Sequence, residues 1–184
     1  MMFCWLSASV EKDEIWSYSF VPLSVATTTE VTAFATGWTD FSENYGSIGL
    51  NWEPTSNLKL EAALFPYKKS ENLSHYQMIN AEYKPSSSED KALPVRIHLG
   101  MHRLVNRTKA ISRWFHLGLN YIFSYKGFQF SAMGFNVASY DESIRLYGIS
   151  VMKMVNPNFI PSIGLMFNPN ENQFRIQLLM YIHP

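Results

Sequence analysis

The sequence predicts an all-β fold, an antiparallel up-and-down β-barrel (a meander) of about 10–12 strands whose apolar face points outward. Apolar and polar residues alternate over long segments, turn-forming sequences separate those segments, and the chain is poor in charge. Charged residues make up 16% of the 184 residues and aromatic residues 15%, whereas an ordinary soluble domain has about 25% charged residues. Fifteen basic and fifteen acidic residues balance, so no charge excess indicates nucleic acid as a partner.

The alternation is clearest in VRIHLGMH, residues 95–102. Every second residue there is valine, isoleucine, leucine or methionine, and the residues between them are arginine, histidine or glycine. The same period of two runs through residues 113–123, 159–167 and 174–182. A period of two indicates strands, because the apolar positions of a helix recur at three to four residues. These segments are longer than the strands of about 5–6 residues that are commonest in globular proteins.

Each predicted strand is bounded by turn-forming or polar residues. The predicted strands are 14–22, 28–38, 45–53, 57–66, 76–84, 94–104, 112–124, 127–137, 143–154, 158–168 and 172–183. Short turns lie at 54–57, 125–127, 156–158 and 168–172, and longer polar loops at 67–75, 84–93, 106–112 and 138–143. The predicted strands number eleven, whereas bacterial single-chain barrels have even strand numbers. We therefore expect ten strands, or twelve in a longer chain.

No linker divides the chain, so residues 14–184 are expected to form a single β-barrel domain. Residues 1–13 are expected to be the remnant of a signal peptide or an irregular N-terminal lead. MMFCWLSASV is an apolar stretch followed by small residues, as before a signal-peptide cleavage site, although it has no basic n-region. The alternative is an ordinary apolar first segment of a cytoplasmic protein.

Alternation alone does not decide which face points inward, because lipid-carrier barrels are apolar inside and outer-membrane barrels are apolar outside. Three features favour the second arrangement. Aromatic residues lie near strand ends, as in the girdles at membrane interfaces. Arg145 and Lys153 each lie about 13 Å from Ile149 along one strand face, at the edges of an apolar band. The opposite face combines charged residues with glycines, which suits a crowded lumen.

These faces define two sets of candidate residues. The residues expected to face the membrane are Ile97, Leu99, Phe115, Leu117, Leu119, Ile149, Ile163, Leu165, Ile176 and Leu178. The polar residues expected to line the lumen are Lys59, Glu61, Glu82, Arg96, His98, His102, His116, Asn120, Arg175 and Gln177. If the C-terminus is periplasmic, the turns at 54–57, 125–127 and 156–158 are periplasmic and the loops at 67–75, 106–112 and 138–143 are external, as in known barrels.

The sequence resembles bacterial outer-membrane β-barrel proteins as a class. The resemblance is carried by the hairpin ends LNWEPTSNLKL (50–60) and VNPNF (155–159) and by the closing strand 174–182. The first hairpin is similar to those of barrels associated with exopolysaccharide export. Such barrels usually end in an aromatic residue, whereas this sequence ends Tyr181-Ile182-His183-Pro184. The resemblance implies a location in the bacterial outer membrane; a periplasmic or secreted soluble protein is the alternative.

Three histidines raise the question of a metal site. On a strand, His98 and His102 lie about 13 Å apart and cannot bind one metal ion. A hairpin through residues 105–111 would place His116 opposite Gly100, where it can approach either histidine. Two imidazoles with no carboxylate or thiolate ligand make a poor site, and the single cysteine, Cys4, cannot form a cluster. We therefore predict no metal site and no cofactor.

No catalytic motif is present, and we predict that the protein is not an enzyme. A hydrolase on the barrel wall would need His98 or His116 beside a serine such as Ser131 or Ser112, and no acidic residue is placed to orient the histidine. Glu61 and Glu82 can form a carboxylate pair, but with Lys59 and Arg96 nearby a ladder of salt bridges is the preferred interpretation.

The sequence thus predicts an outer-membrane barrel with a narrow polar lumen. A barrel of about ten strands is too narrow for a wide porin channel. The protein would therefore act as a structural or adhesive wall protein, or as a conduit for a small polar solute. Outer-membrane lipid is the expected partner, and the sequence leaves the oligomeric state open. The alternative is a soluble lipocalin-like barrel with its faces reversed around an apolar ligand.

Overall fold

The computed structural model describes residues 31–39, 44–67, 73–86, 93–106, 111–139, 142–153, 155 and 159–182. Within these ranges the chain forms strands β1 (Val31–Thr39), β2 (Asn44–Thr55), β3 (Leu58–Tyr67), β4 (Leu73–Tyr83), β5 (Val95–Asn106), β6 (Ile111–Tyr125), β7 (Phe128–Ala138), β8 (Ser143–Lys153), β9 (Phe159–Asn168) and β10 (Gln173–Ile182). None of the described residues belongs to a helix that is long and apolar enough to cross a membrane. The predicted strand 14–22 and the predicted segment 1–13 lie outside the described residues.

The ten strands form a closed antiparallel barrel in which each strand pairs with the next along the chain. The first and last strands close it, with Ala33 opposite Ile182 and Thr39 opposite Ile176. The strands are 9 to 15 residues long, and a tilted strand needs about 9–11 residues to cross a bilayer. The predicted fold class is therefore confirmed as an all-β, up-and-down barrel.

The β6–β7 hairpin shows how local sequence sets the register. Lys126 and Gly127, which connect these strands, both have positive φ angles, 48° and 79°. A two-residue turn of this kind matches the right-handed twist of the flanking strands, and glycine adopts the conformation without steric cost. Tyr125 consequently pairs with Phe128, and the register continues to Phe115 opposite Ala138.

Two ends of the barrel are distinguished below. The turn rim is the end at which Ser56–Asn57 connects β2 to β3 and Lys126–Gly127 connects β6 to β7. The loop rim is the opposite end, where β5 ends at Asn106 and β6 begins at Ile111. Both Arg145 and Lys153 are exposed on β8, near the loop rim and the turn rim respectively.

Candidate functional site

The ten polar residues predicted to line the lumen lie on the inward side of the wall. Nine are buried, and the Arg96 side chain is 15% exposed. Eight of them lie on β3 to β6, and we call the inward residues of these strands the charged sector. The other two, Arg175 and Gln177, are buried on β10 between β9 and β1. The side chains of the charged sector are thus enclosed by the wall, and groups of opposite charge lie beside them.

Glu82 lies at the centre of a ladder of ion pairs. The Lys59 ammonium is 3.4 Å from Glu61 Oε1 and 3.8 Å from Glu82 Oε2. On its other side, Glu82 Oε1 lies 3.7 Å from Arg96 Nε, and Glu82 Oε2 lies 3.7 Å from His98 Nε2. Lys59 pairs directly with Glu82 across β3 and β4. The arrangement is the predicted salt-bridge ladder rather than an isolated carboxylate pair, and its two cations and two carboxylates balance.

A chain of short hydrogen bonds extends from this ladder towards the loop rim. His102 Nε2 lies 2.6 Å from His116 Nδ1, and His116 Nε2 lies 2.9 Å from Asn80 Oδ1. The Asn80 amide nitrogen donates to Glu61 Oε2 at 2.6 Å. Because an ionised carboxylate only accepts hydrogen bonds, Asn80 Oδ1 must accept from His116. With neutral imidazoles this fixes each donor: His102 donates to His116, and His116 donates to Asn80.

Gly100 explains how His116 on β6 reaches Asn80 on β4. Gly100 lies on β5 directly between them, opposite Asn80 on one side and His116 on the other. A Cβ atom at this position would collide with the His116 ring. Only glycine therefore leaves the imidazole room to cross β5. The pairing of His116 with Gly100 is the one that the sequence predicted.

Aromatic rings hold the histidines in place. His102 stacks on the fully buried Trp114 with ring centres 5.3 Å apart and planes 8° from parallel. Phe135 on β7 contacts His98 and His116 with ring centres 5.6 and 5.8 Å apart. The Phe135 ring itself lies over Gly118, where a side chain would collide with it. These contacts restrict the rotation of rings whose nitrogens take part in hydrogen bonds.

Another part of the interior, on β7 to β9, is largely apolar. The predicted lumen residues do not include it. We call the inward residues of β7 to β9 the apolar sector. Its buried apolar residues are Met133, Phe135, Val137, Ile144, Leu146, Met152, Ile160 and Met166. The sequence contains a signal for it, because residues 144–152 are largely apolar on both strand faces. Asn80 and Trp114 were also not predicted, because their roles depend on strand register.

The geometry gives no catalytic or metal-binding arrangement among the described residues. Ser131 Oγ lies 2.7 Å from Ser150 Oγ, while both ring nitrogens of His116 lie at hydrogen-bond distance from other groups. No cluster of three or more His, Cys, Asp or Glu in the described ranges is arranged to hold a metal ion. What the charged sector can do chemically is hold charge and hydrogen bonds inside the wall.

The outer wall is apolar along most of its height. Its ten predicted membrane-facing residues point outward, nine of them exposed and Ile176 half-buried. Leu99 and Ile149 have 59% and 62% of their surface exposed, although neither carries a polar group. Aromatic side chains lie near the strand ends, with Phe123 stacked on Phe130 at 5.1 Å and Phe167 on Phe174 at 4.6 Å. The barrel is therefore inverted relative to a soluble one, and the arrangement with apolar residues inward around a ligand is not the one observed.

Comparison with known proteins gives matches of fold but none of sequence. No family model matches the chain, and no curated protein matches it in sequence. The N-terminal β-barrel domain of Pseudomonas aeruginosa OprF is similar over 83% of this chain and 95% of its own, with 10% identity and a TM-score of 0.39. Acinetobacter baumannii Omp33 matches over 84% and 98%, with 9% identity and a TM-score of 0.47.

Two porins are similar in the same way. The KdgM porin matches over 84% of this chain and 99% of its own, with 9% identity and a TM-score of 0.43. A mutant of the Rh. blastica porin is similar over 84% of this chain and 51% of its own, with 13% identity and a TM-score of 0.40. This chain therefore spans about half of that porin. The predicted likeness to bacterial outer-membrane β-barrels as a class is confirmed by the closed antiparallel barrel and its apolar outer face.

Proposed function

We propose that the protein is an integral outer-membrane β-barrel that acts as a structural or adhesive wall protein with a closed interior. The observation that carries the proposal is the inverted wall. Residues such as Leu99, Leu117 and Ile149 are exposed on the outside, whereas Lys59, Glu82 and Arg175 have no exposed surface inside. Exposed apolar surface of this extent favours contact with lipid chains over contact with water.

The closed interior favours a wall protein over an open channel. The side chains of Lys59, Trp114 and Arg175 point into the lumen and have no solvent-accessible surface. Barrels of about eight strands are filled by their own side chains, whereas water-filled channels appear near sixteen strands, and this barrel of ten strands is closer to the first size. Passage of a solute would require the charged sector to open.

The conduit remains the second candidate, because the polar contacts of the charged sector are continuous. They run from His102 through Asn80, Glu61 and Lys59 to Glu82 and Arg96. Conductance across a planar bilayer separates the two candidates. A wall protein gives no lasting current steps, whereas steps from purified barrel that disappear on boiling would favour the conduit.

The membrane location is tested by fractionation of the expressed protein, followed by gel electrophoresis before and after boiling. We expect the protein to stay in the membrane fraction until detergent is added, and to migrate faster when it is not boiled.

A substitution on the outer wall tests the same location. Ile149→Arg serves as the variant and Arg145→Gln as its control on the same strand face. Arginine near the middle of the lipid-facing band costs about 2–4 kcal/mol, so the first should lower the yield of folded barrel. A protein that is soluble without detergent and tolerates Ile149→Arg would contradict the proposal.

A further inference from the structure

Two lysines at the turn rim of the outer wall each lie over an aromatic ring. The Lys126 ammonium is 5.2 Å from the centre of the Tyr125 ring, and the Lys153 ammonium is 5.2 Å from the centre of the Phe128 ring. Tyr125 pairs with Phe128 across β6 and β7, and Phe128 pairs with Lys153 across β7 and β8. All four side chains are exposed. The two ammonium groups therefore lie at one edge of the wall, along three adjacent strands.

An apolar groove of about 560 Å³ opens in the outer wall beside these lysines. Two successive rows of outward register partners line it: Phe123, Phe130, Val151 and Ile163 in the first, and Ala132, Ile149, Leu165 and Ile176 in the second. Two residues along a strand correspond to about 7 Å, so the first row lies about 7 Å from Phe128 and Lys153. The groove thus leads from the aromatic edge of the wall into the apolar band.

Ala132 gives the groove its depth. It is exposed on β7, with Tyr121 opposite it on β6 and Ile149 opposite it on β8. Both neighbours have large side chains, whereas alanine contributes one methyl group. If the space above Ala132 stayed empty, the side chains around it would lose their dispersion contacts on that side. In a membrane a flexible acyl chain can follow such a concave surface and restore those contacts.

The charge beside the groove favours an anionic lipid over a second copy of the barrel. The sequence contains no aspartate or glutamate in residues 121–132 or 149–165. In a two-fold dimer the same patch meets itself. With the two-fold axis along the membrane normal, Lys126 and Lys153 of one copy would lie at the same depth as the same lysines of the other, and the like charges would repel.

We propose that the groove holds an acyl chain of an anionic glycerophospholipid whose phosphate group is bound by Lys126 and Lys153. An ammonium group over a ring keeps N–H donors directed away from the ring, and phosphate oxygens accept charge-assisted hydrogen bonds from them. The aromatic girdle of a membrane barrel lies at the level of the headgroups, so the phosphate and the lysines share one depth. This inference rests on the proposed membrane location and adds to it a lipid class and a binding position.

Native mass spectrometry of the detergent-purified protein tests the two lysines, with phosphatidylglycerol and phosphatidylcholine of identical acyl chains as probes. The unsubstituted protein should retain phosphatidylglycerol in preference to phosphatidylcholine. Removing each lysine should weaken that preference about fivefold, as expected for a basic residue at an anionic membrane surface, so Lys126→Gln/Lys153→Gln should remove most of it. Arg145→Gln is the matched control, because it removes an exposed outward charge of β8 near the opposite rim. The control should leave the preference unchanged.

Ala132→Phe tests the groove in the same measurement. The added ring occupies the space above β7, so the fraction of barrel that carries a bound lipid should fall by the same factor for both lipids. The preference between the two lipids should stay as it is. Ala81→Phe is the control, since Ala81 is half-buried on β4 and does not line the groove. It should change neither the amount of bound lipid nor the preference.

The inference is overturned if the double lysine variant keeps the full preference, or if Ala132→Phe retains as much lipid as the unsubstituted protein. It is also overturned if inorganic phosphate alone at the lipid concentration abolishes the preference, because the lysines would then bind free phosphate. A dimer of the unsubstituted protein that Ala132→Phe converts to a monomer would assign the groove to a second copy instead.

The gel-mobility shift on boiling reports whether each variant is folded. If the double lysine variant does not fold, Lys126→Gln and Lys153→Gln alone should each show the smaller loss, and unchanged preference in both would overturn the inference. If Ala132→Phe does not fold, Ala132→Leu replaces it with the same expectation. A barrel that needs no detergent contradicts the proposed function itself, whereas a detergent-requiring barrel without lipid preference contradicts only this site.

Discussion

The charged sector and the apolar sector of the barrel interior are built on different physical principles. In the charged sector, Lys59, Glu61 and Glu82 are held by ion pairs and by the Asn80 amide. In the apolar sector, Leu146 and Ile144 are buried by packing alone. Truncating a packed apolar residue costs its contacts and leaves a cavity, but it leaves no charge behind. A buried charge that loses its partner leaves that partner uncompensated, so the charged sector depends on matched pairs.

Lys59→Met should give the largest loss of stability. It removes one of the two cations that balance the Glu61 and Glu82 carboxylates in the ladder, and breaking a buried pair in this way costs about 3–5 kcal/mol. Urea unfolding in detergent micelles, followed by tryptophan fluorescence, measures the loss. Lys59→Met/Glu61→Gln restores the balance of one cation and one carboxylate and should recover most of the stability. A double variant no more stable than the single one would contradict the matched-pair account.

Leu146→Ala should be the most costly truncation in the apolar sector. Leu146 has no exposed surface, and truncating a buried leucine costs about 2–5 kcal/mol, with the cost set by the cavity that remains. Leu99→Ala on the outer wall should cost less, because lipid or detergent chains fill the space. The same unfolding measurement compares the two. Equal losses would mean that the interior of the apolar sector is not packed.

Gly100→Ala tests the crossing of β5 by His116. The added methyl group displaces the imidazole from His102 and Asn80, and overpacking of this kind costs about 1–3 kcal/mol. Gly134→Ala is the matched control, because a Cβ atom there would meet the Tyr147 ring at an ordinary 3.6 Å. The control should change the unfolding free energy by no more than about 0.5 kcal/mol. Similar results for the two glycines would show that the ring position does not depend on Gly100.

Ser131→Ala should have the smallest effect. It leaves the Ser150 hydroxyl without its partner at 2.7 Å, at a cost of about 1 kcal/mol. The double variant Ser131→Ala/Ser150→Ala removes both hydroxyl groups and should unfold close to the unsubstituted protein. A double variant that loses as much as two independent single losses would contradict mutual satisfaction of these hydroxyl groups.

Much of the fold follows from the alternation of the sequence. The predicted strands from 28–38 to 172–183 correspond to β1 to β10 with ends that differ by a few residues. This succeeds because a side-chain period of two is a local property of the backbone. Leu99, Leu117 and Ile163 were assigned to one face for the same reason. A shift of one residue along a strand would move all of its side chains to the other face, so the alternation keeps such residues together.

The division of the interior into two sectors was not predictable in the same way. Which inward residues meet depends on register between strands, and alternation within one strand contains no such information. His116 on β6 contacts Asn80 on β4 only because the residue between them on β5 is Gly100. The salt-bridge ladder could be predicted from the sequence because Lys59, Glu61 and Glu82 lie on two strands that are consecutive along the chain and pair with each other.

The most direct test of the inverted wall compares Trp52, which is 51% exposed on the outer face, with the fully buried Trp114. In a background with Phe at positions 5, 16 and 38, Trp114→Phe leaves Trp52 as the remaining tryptophan, and Trp52→Phe leaves Trp114. After reconstitution into vesicles of phosphatidylcholine with brominated acyl chains, the fluorescence of Trp52 should be strongly quenched and that of Trp114 nearly unchanged. Equal quenching of both, or stronger quenching of Trp114, would contradict a barrel with its apolar face towards lipid and its charges inside.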